Sequence, residues 1–412
     1  MSHLYLLGVA TLTLTSASFA GSDTNADLQA RLEAAEARIS ELSAATNANW
    51  LNDTRSDEIR GLVHDVLADA DTRASLQGSG ATAGYNNGFM IGSADGAWSL
   101  TINGLLQTRW TSVDSDANSA GPNAGEGSQW GFNNQRSWMH FSGTVAGDYS
   151  YDIRQNLDTG DSNDADWANG SFNLNDDWSL TMGSMKWASS REAMIGDQNQ
   201  LAMDRDEDYA VGQGATLAYT GDDMRVMAQL FNNAVNGANG AANLSAYTWS
   251  VRGEFMVEGS GWSQFDQFTS ADGGAAGTLI GFTYSGNADG DAGTTTDDMK
   301  TWVLDAQMQF GGSNLYVSYS DFSDDNAAAT DENELQVMFG YYLDSDWELY
   351  GRYIDSDGST NAPRDGSIYT IGVNNYLAGQ NAKWTTEVIM DESGQGEDSD
   401  VTTFATQLQF YF

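Results

Sequence analysis

A few residues in this chain have the types and spacing that chemistry needs. In "HFS", His140 and Ser142 place a base and a nucleophile on one face of an extended segment, the pairing that acyl transfer requires. No third residue that would orient the imidazole is legible nearby, and the strand phase puts the pair on a polar face, away from lipid. Asp114, Asp116 and Asn118 have the alternate spacing that collects oxygens around calcium, but the glycine of an EF-hand loop is missing and no metal site is assigned. Paired carboxylates are too numerous to single out. No glycine-rich phosphate loop, basic nucleic-acid patch or cofactor motif occurs. The informative group is cationic: Arg109, Arg154, Arg225, Arg252 and Arg352 alternate with small or polar neighbours, opposite the aliphatic residues. Asp152, Glu254, Asp305, Glu348 and Glu387 share that phase. If that face looks onto water, opposed charges set up a transverse field that orients polar solutes without rejecting either sign. Ion pairing that stiffens the wall is the compatible alternative.

The elements that carry these residues are strands. The 412 residues include 45 Gly, only 2 Pro and no Cys, which excludes disulfides and thiolate metal sites and suits an extracytoplasmic protein. No stretch reaches the roughly 18 apolar residues of a membrane-spanning helix. Spanning strands need no such run, because alternate residues face lipid and mean hydropathy, here -0.43, stays low. Period-two alternation recurs in sixteen runs, beginning near residues 98, 135, 149, 164, 178, 212, 223, 245, 276, 300, 313, 333, 346, 368, 383 and 402. Tight turns such as "AGDY", "FGGSN" and "LDSDW" alternate with longer polar loops, as in an outer-membrane barrel. Residues 259–275 break that rule. Their Trp262, Phe265 and Phe268 recur every three residues, so the segment reads as a helical turn and not a strand. The expected fold is a 16-stranded antiparallel transmembrane β-barrel preceded by a short α-helical, coiled-coil segment. Closure accounts for the last run, "VTTFATQLQFYF": pairing it with the first strand satisfies its backbone and seats Phe412 at a membrane interface.

The amino-terminal region reads as export and spacing. "LYLLGVATLTL" followed by "TSASFA" has the apolar core and small residues of a signal peptide, expected over residues 1–20. In 21–84, Leu28, Leu32, Ala35, Ile39 and Leu42 follow coiled-coil spacing, with a single amphipathic helix as the alternative. A second helix is expected over "SDEIRGLVHDVLADADTRASL", with the barrel occupying 85–412.

"GFMIGSADGAWSLTINGLLQTRW", "FSGTVAGDYSYDI", "WSLTMGSMKWASSREAM" with "LAMDRD" after it, and "YTIGVNNYLAGQNAKWTTEV" resemble successive blocks of the phosphate-selective porin family, the porin O and P type. The resemblance runs from residue 88 to 412. It implies a homotrimer of 16-stranded outer-membrane barrels, each with an inward-folded third loop whose basic residues select anions. Residues 186–211 stand in that loop's place and carry Lys186, Arg191 and Arg205 as the implied pore constriction. The chain reads "DEDYAVGQG" where that family has a Pro- and Arg-containing turn. The apolar Trp187, Met194, Ile195, Leu201 and Met203 independently argue that this connection folds against the wall, out of water.

A formal net charge of -41, much of it in loops such as "FSDDNAAATDENE", denotes an acidic solvated surface. The expected function is an outer-membrane porin: no catalysis, no nucleic acid, and contact with outer-membrane lipid. It would pass small hydrophilic or anionic solutes with a weak anion preference. A nonselective or cation-preferring pore governed by its acidic mouth is the alternative, and a barrel lipase using His140 and Ser142 the distant one. Deleting residues 21–84 should leave a barrel that still inserts, checked by heat-modifiable electrophoretic migration. Failure to insert would place the domain boundary elsewhere.

Overall fold

The computed structural model describes residues 25–49, 81–115, 127–157, 165–206, 210–232, 247–288, 299–324, 331–358, 364–393 and 400–412. The expected signal peptide and second helix lie outside these residues. Two compact units divide the chain at Gly78/Ser79. In the first, α1 (Asn25–Asn49) is one continuous helix, and its Leu32 and Ile39 are exposed. The Leu28 and Leu42 side chains of the expected seam lie outside the described residues.

The second unit opens with a hairpin of two short strands, β1 (Thr82–Tyr85) and β2 (Phe89–Gly92). Thr82 to Gly84 thus lie on the amino-terminal side of the boundary expected at residue 84. Sixteen longer strands follow: β3 (Ser99–Ser115), β4 (Gly127–Val145), β5 (Tyr149–Asn156), β6 (Ala165–Asn173), β7 (Trp178–Lys186), β8 (Val211–Thr220), β9 (Met224–Asn232), β10 (Tyr247–Glu258), β11 (Gly277–Ala288), β12 (Met299–Gln309), β13 (Ser313–Asp324), β14 (Glu332–Tyr342), β15 (Trp347–Gly358), β16 (Gly366–Gln380), β17 (Ala382–Asp391) and β18 (Val401–Tyr411). Each pairs antiparallel with its neighbour, and β18 pairs with β3, so the sheet closes into a 16-stranded barrel. Fifteen of these strands begin within two residues of the positions expected from alternation. The exception is β4, which starts at Gly127 instead of near 135. Its first part, "GSQWGFNN", has little alternation of its own. It is extended because it pairs with Thr108 to Ser115 of β3, past a register shift between Gln107 and Thr108.

Alternation sorts side chains between lipid and interior. Outward residues such as Leu230, Phe282 and Leu304 are exposed, and Phe282 stands directly opposite Leu304. Aromatic pairs form two belts. Trp110 with Phe404, Trp249 with Tyr284, and Tyr353 with Tyr369 lie toward the long-loop end, while Tyr149 with Phe172 and Trp178 with Tyr219 lie toward the short-turn end. The turn between β4 and β5 needs left-handed backbone at Ala146 (φ 54°) and Gly147 (φ 82°).

The interior is not empty. Residues 187–206 enter it from the long-loop end. The connection from β10 to β11, which includes a 3-10 turn at Trp262–Phe265, enters from the short-turn end. Its three-residue spacing argues against a strand, as found, but does not by itself place the connection inside. It turns inward because Phe265 and Phe268 there escape water completely. Phe268 joins Ile195 and Leu201 of the loop and Tyr316, Met338 and Tyr350 of the wall in one apolar cluster, and Phe265 joins Met256 and Leu279 in a second.

The closing seam carries Phe412. Its N–H donates to the Gly104 carbonyl at 3.0 Å, and the Gly104 N–H donates to the Phe412 carbonyl at 2.8 Å. The Phe412 ring occupies the space a Cβ on residue 104 would need, so only glycine fits without displacing it. Gly104→Val should therefore destabilise the folded barrel by about 1–3 kcal/mol, read from the denaturant midpoint in detergent micelles.

Candidate functional site

The long connection after Lys186 is folded by its own polar side chains before it meets the wall. Ser190 accepts the Ala193 N–H on Oγ at 3.1 Å and caps a single turn, α2 (Arg191–Met194). The Gln200 amide donates to the carbonyls of Glu192 and Ile195, both at 3.1 Å, and the Arg205 guanidinium donates to the same two carbonyls. The carbonyls at the end of this short helix are thereby satisfied inside the loop. Ile195 and Leu201 are then free to seat on Tyr316, Met338 and Tyr350.

Charge fixes the loop around most of the barrel's circumference. Asp197, fully buried, receives Arg205 of its own loop, Arg154 of β5 at 2.7 Å and Arg136 of β4 at 3.8 Å, together with the Trp138 indole N–H at 3.2 Å. Burial would raise its pKa, but Arg205, Arg154 and Arg136 outweigh that and hold the carboxylate well below its usual range. Asp204 meets Arg109 of β3 at 2.5 Å and Arg136 at 3.2 Å. Burial again opposes ionisation there, and Arg109 and Arg136 bring the pKa down to about 2. Farther round the wall, past the β18–β3 seam, Arg352 of β15 donates to the Asp204 carbonyl at 2.7 Å, and Lys383 of β17 to the Gln200 carbonyl at 2.8 Å. Asn374 of β16 donates to the Leu201 carbonyl at 2.9 Å.

The three cations of the expected constriction divide into two kinds. Arg191 is buried: its backbone N–H donates to Asp305 at 3.0 Å, its side chain donates to Gln307 and the Phe265 carbonyl, and it pairs with Asp266 at 3.3 Å. Arg205 is enclosed by Asp197 and the loop carbonyls. Lys186 is half-exposed and lines a water-accessible cavity of ≈ 550 Å³, its Nζ 5.2 Å from the centre of the Trp167 ring. The cavity runs along β4 to β7, down to Thr144 and Ser150 beside the turn.

Arg109, Arg154, Arg225, Arg252, Arg352, Glu254, Asp305 and Glu348 all point inward. They are not arrayed as separate rings of opposite sign. Arg252 bridges Glu254 at 2.8 Å and Asp305 at 2.9 Å, Arg225 pairs with the same Glu254, and Glu348 accepts from Asn314 at 2.7 Å. Arg136, Asp197 and Asp204 carry no signal of their role in the sequence. The register shift beside Arg136 hides its phase, and loop acids show no periodicity. His140, for which no orienting residue is legible in the sequence, has its Nε2 2.9 Å from Asp152 on the neighbouring strand. Among the described residues no cluster of three or more His, Cys, Asp or Glu could hold a metal.

Among the described acids of this loop, Glu192 is the one whose burial dominates. It accepts from the Asp206 N–H at 3.2 Å and Gln336 at 3.3 Å and lies 4.0 Å from Arg352. Desolvation, opposed chiefly by Arg352, pushes its pKa from 4.5 up to about 7. A raised pKa means that its contribution to the loop seat is fully present below pH 4.5 and is lost as pH rises through about 7. Wild-type single-channel current should accordingly fluctuate more at pH 8 than at pH 5, and Glu192→Gln should remove most of that difference.

Residues 108–307 match the family described as phosphate-selective porin O and P. No curated protein sequence matches the chain. Among solved structures, an anion-selective porin from Comamonas acidovorans aligns at 13% identity, over 76% of this chain and 100% of that one, with a TM-score of 0.53. The outer-membrane protein OmpT of Vibrio cholerae aligns at 13% identity, over 77% and 98%, with a TM-score of 0.52. These likenesses are of fold. The sequence match lies wholly inside the barrel and the fold matches run through it, so residues 108–307 carry the phosphate-selective porin O and P pattern on a barrel of porin fold.

Proposed function

We propose that this barrel lets small hydrophilic and ionic solutes diffuse down their gradients across a bacterial outer membrane, with a weak anion preference set at the third loop. The observation that carries this reading is the loop itself, folded inward and anchored by buried ion pairs, with Lys186 at its root beside water. At a narrow passage with low-dielectric walls a single cation influences ion choice despite the net charge of -41, because loop carboxylates farther than roughly 10 Å are screened at 0.1 M salt. In this reading Lys186 acts through its field, and Arg191 and Arg205 act by holding the loop in place. The inward Arg and acid pairs line the rest of the lumen, and the acidic mouth opposes anion entry as salt is lowered. The polar, charge-paired interior favours a passage rather than a catalyst. His140 and Ser142 face that interior, where a lipid substrate does not reach.

Assembly and address belong to the same proposal. Family resemblance favours a homotrimer, and the continuous α1, with Leu32 and Ile39 exposed one heptad apart, supports a periplasmic coiled coil joining three copies. The apolar stretch at residues 4–14 supports cleaved export. Planar-bilayer recording tests the pore. Wild type should give conductance steps and a small anion-directed reversal potential in a salt gradient, and Lys186→Ala should move that potential toward cations. Arg191→Ala with Arg205→Ala should also raise conductance by freeing the loop. Inserted protein without steps would overturn the porin reading, and an unmoved potential in Lys186→Ala would hand selectivity to the acidic mouth.

A further inference from the structure

The cavity along β4 to β7 does not have the chemistry of an anion site alone. Among the described residues, its hydroxyl-bearing wall, including Ser142, Ser150, Ser171 and Thr181, is punctuated by one cation, Lys186, and one anion, Asp152. A single indole ties the two together. The Trp167 N–H donates to Asp152 Oδ1, and the Lys186 ammonium sits 5.2 Å from the centre of the same ring. His140 fixes the other Asp152 oxygen at 2.9 Å, yet 38% of the Asp152 side chain remains open to water. Arg154 also lies over this ring, 4.6 Å from its centre, but it is engaged with Asp197 at 2.7 Å. Lys186 additionally reaches the Ala193 carbonyl at 3.5 Å, which ties its position to the loop.

We infer that this wall is a low-affinity site for small zwitterionic solutes of the amino-acid class, with Lys186 taking the carboxylate and Asp152 the ammonium. A simple anion beside Lys186 meets the Asp152 charge across one indole. A neutral polyol uses the hydroxyls and leaves both charges in water. A molecule with its own positive and negative ends a few ångströms apart satisfies both, and the serine and threonine hydroxyls accommodate what lies between. The site is shallow and water-filled, as passage demands, since binding must be strong enough to draw a solute in and weak enough to release it.

This inference rests on the reading of the chain as an open pore, and the experiment separates the two. Proteoliposomes would be compared for the influx of radiolabelled glycine and of glycolamide, its uncharged isomer of equal size, at low millimolar concentration, alongside bilayer recording of the same protein. Two exposed charge contacts should favour glycine by about threefold. Lys186→Met and Asp152→Asn should each bring the ratio close to one while conductance steps persist, and asparagine keeps its carbonyl as acceptor for the Trp167 N–H while its amide can donate to His140 Nε2. A wild-type ratio of one with normal steps would overturn the zwitterion site and leave the porin reading standing. A ratio that survives both substitutions would overturn the placement on Lys186 and Asp152. Absence of both steps and influx would overturn the porin reading, and this inference with it.

Discussion

In hydrocarbon no water is present to satisfy a peptide N–H or carbonyl, and a sheet that crosses it therefore cannot keep a free edge. The pairing of β18 with β3 meets that constraint here, running from Val401 opposite Ser115 to Tyr411 opposite Leu105 and continuing through Phe412 and Gly104. Once the cylinder is closed, each strand has a lipid side and an inner side, and alternation becomes obligatory. A one-residue slip would present Arg252 and Asp305 to acyl chains and turn Phe282 and Leu304 inward.

Closure creates a second problem, an interior too wide for wall side chains to fill. Here two inserted segments occupy it. The loop brings apolar residues to bury and acids to meet the wall's arginines, and the segment from the opposite end supplies Phe265, Phe268 and the carbonyl that Arg191 uses. Charges removed from water inside a protein are costly unless paired and hydrogen-bonded. The geometry satisfies that condition at Asp197, Asp204 and Arg252, each of which has more than one partner of opposite charge. A water-accessible cavity lies along β4 to β7, lined by Ser142, Asp152, Trp167 and Lys186.

The fold was legible because period two is a local property of sequence. Trp302, Leu304 and Ala306 reveal their phase without reference to any other strand. The start of β4 was not legible, because Gly127 to Asn134 are extended only by virtue of what they pair with. The site was half legible. The inward phase of Arg109, Arg154, Arg225, Arg252 and Arg352 followed from alternation, and the apolar residues of the loop announced that it folds inward. Which cation meets water and which is enclosed depends on Asp197 and Asp204, whose approach is set in three dimensions. The same holds for His140, whose acid lies twelve residues on and across a strand boundary.

The anchoring of the third loop also has a mechanical side. Its contacts reach β3 at Arg109, β4 at Arg136, β5 at Arg154, β12 at Asp305, β14 at Gln336, β15 at Arg352, β16 at Asn374 and β17 at Lys383. These strands lie on opposite arcs of the cylinder, so the loop works as a set of spokes. A hollow ring of sixteen strands flattens under unequal lateral pressure, and a spoked one keeps its circular section because squeezing one diameter must stretch ties along another. Lateral pressure on the wall would thus pass through polar and charged side chains across the bore, so that the inserted loop would help to set the cross-section of the barrel.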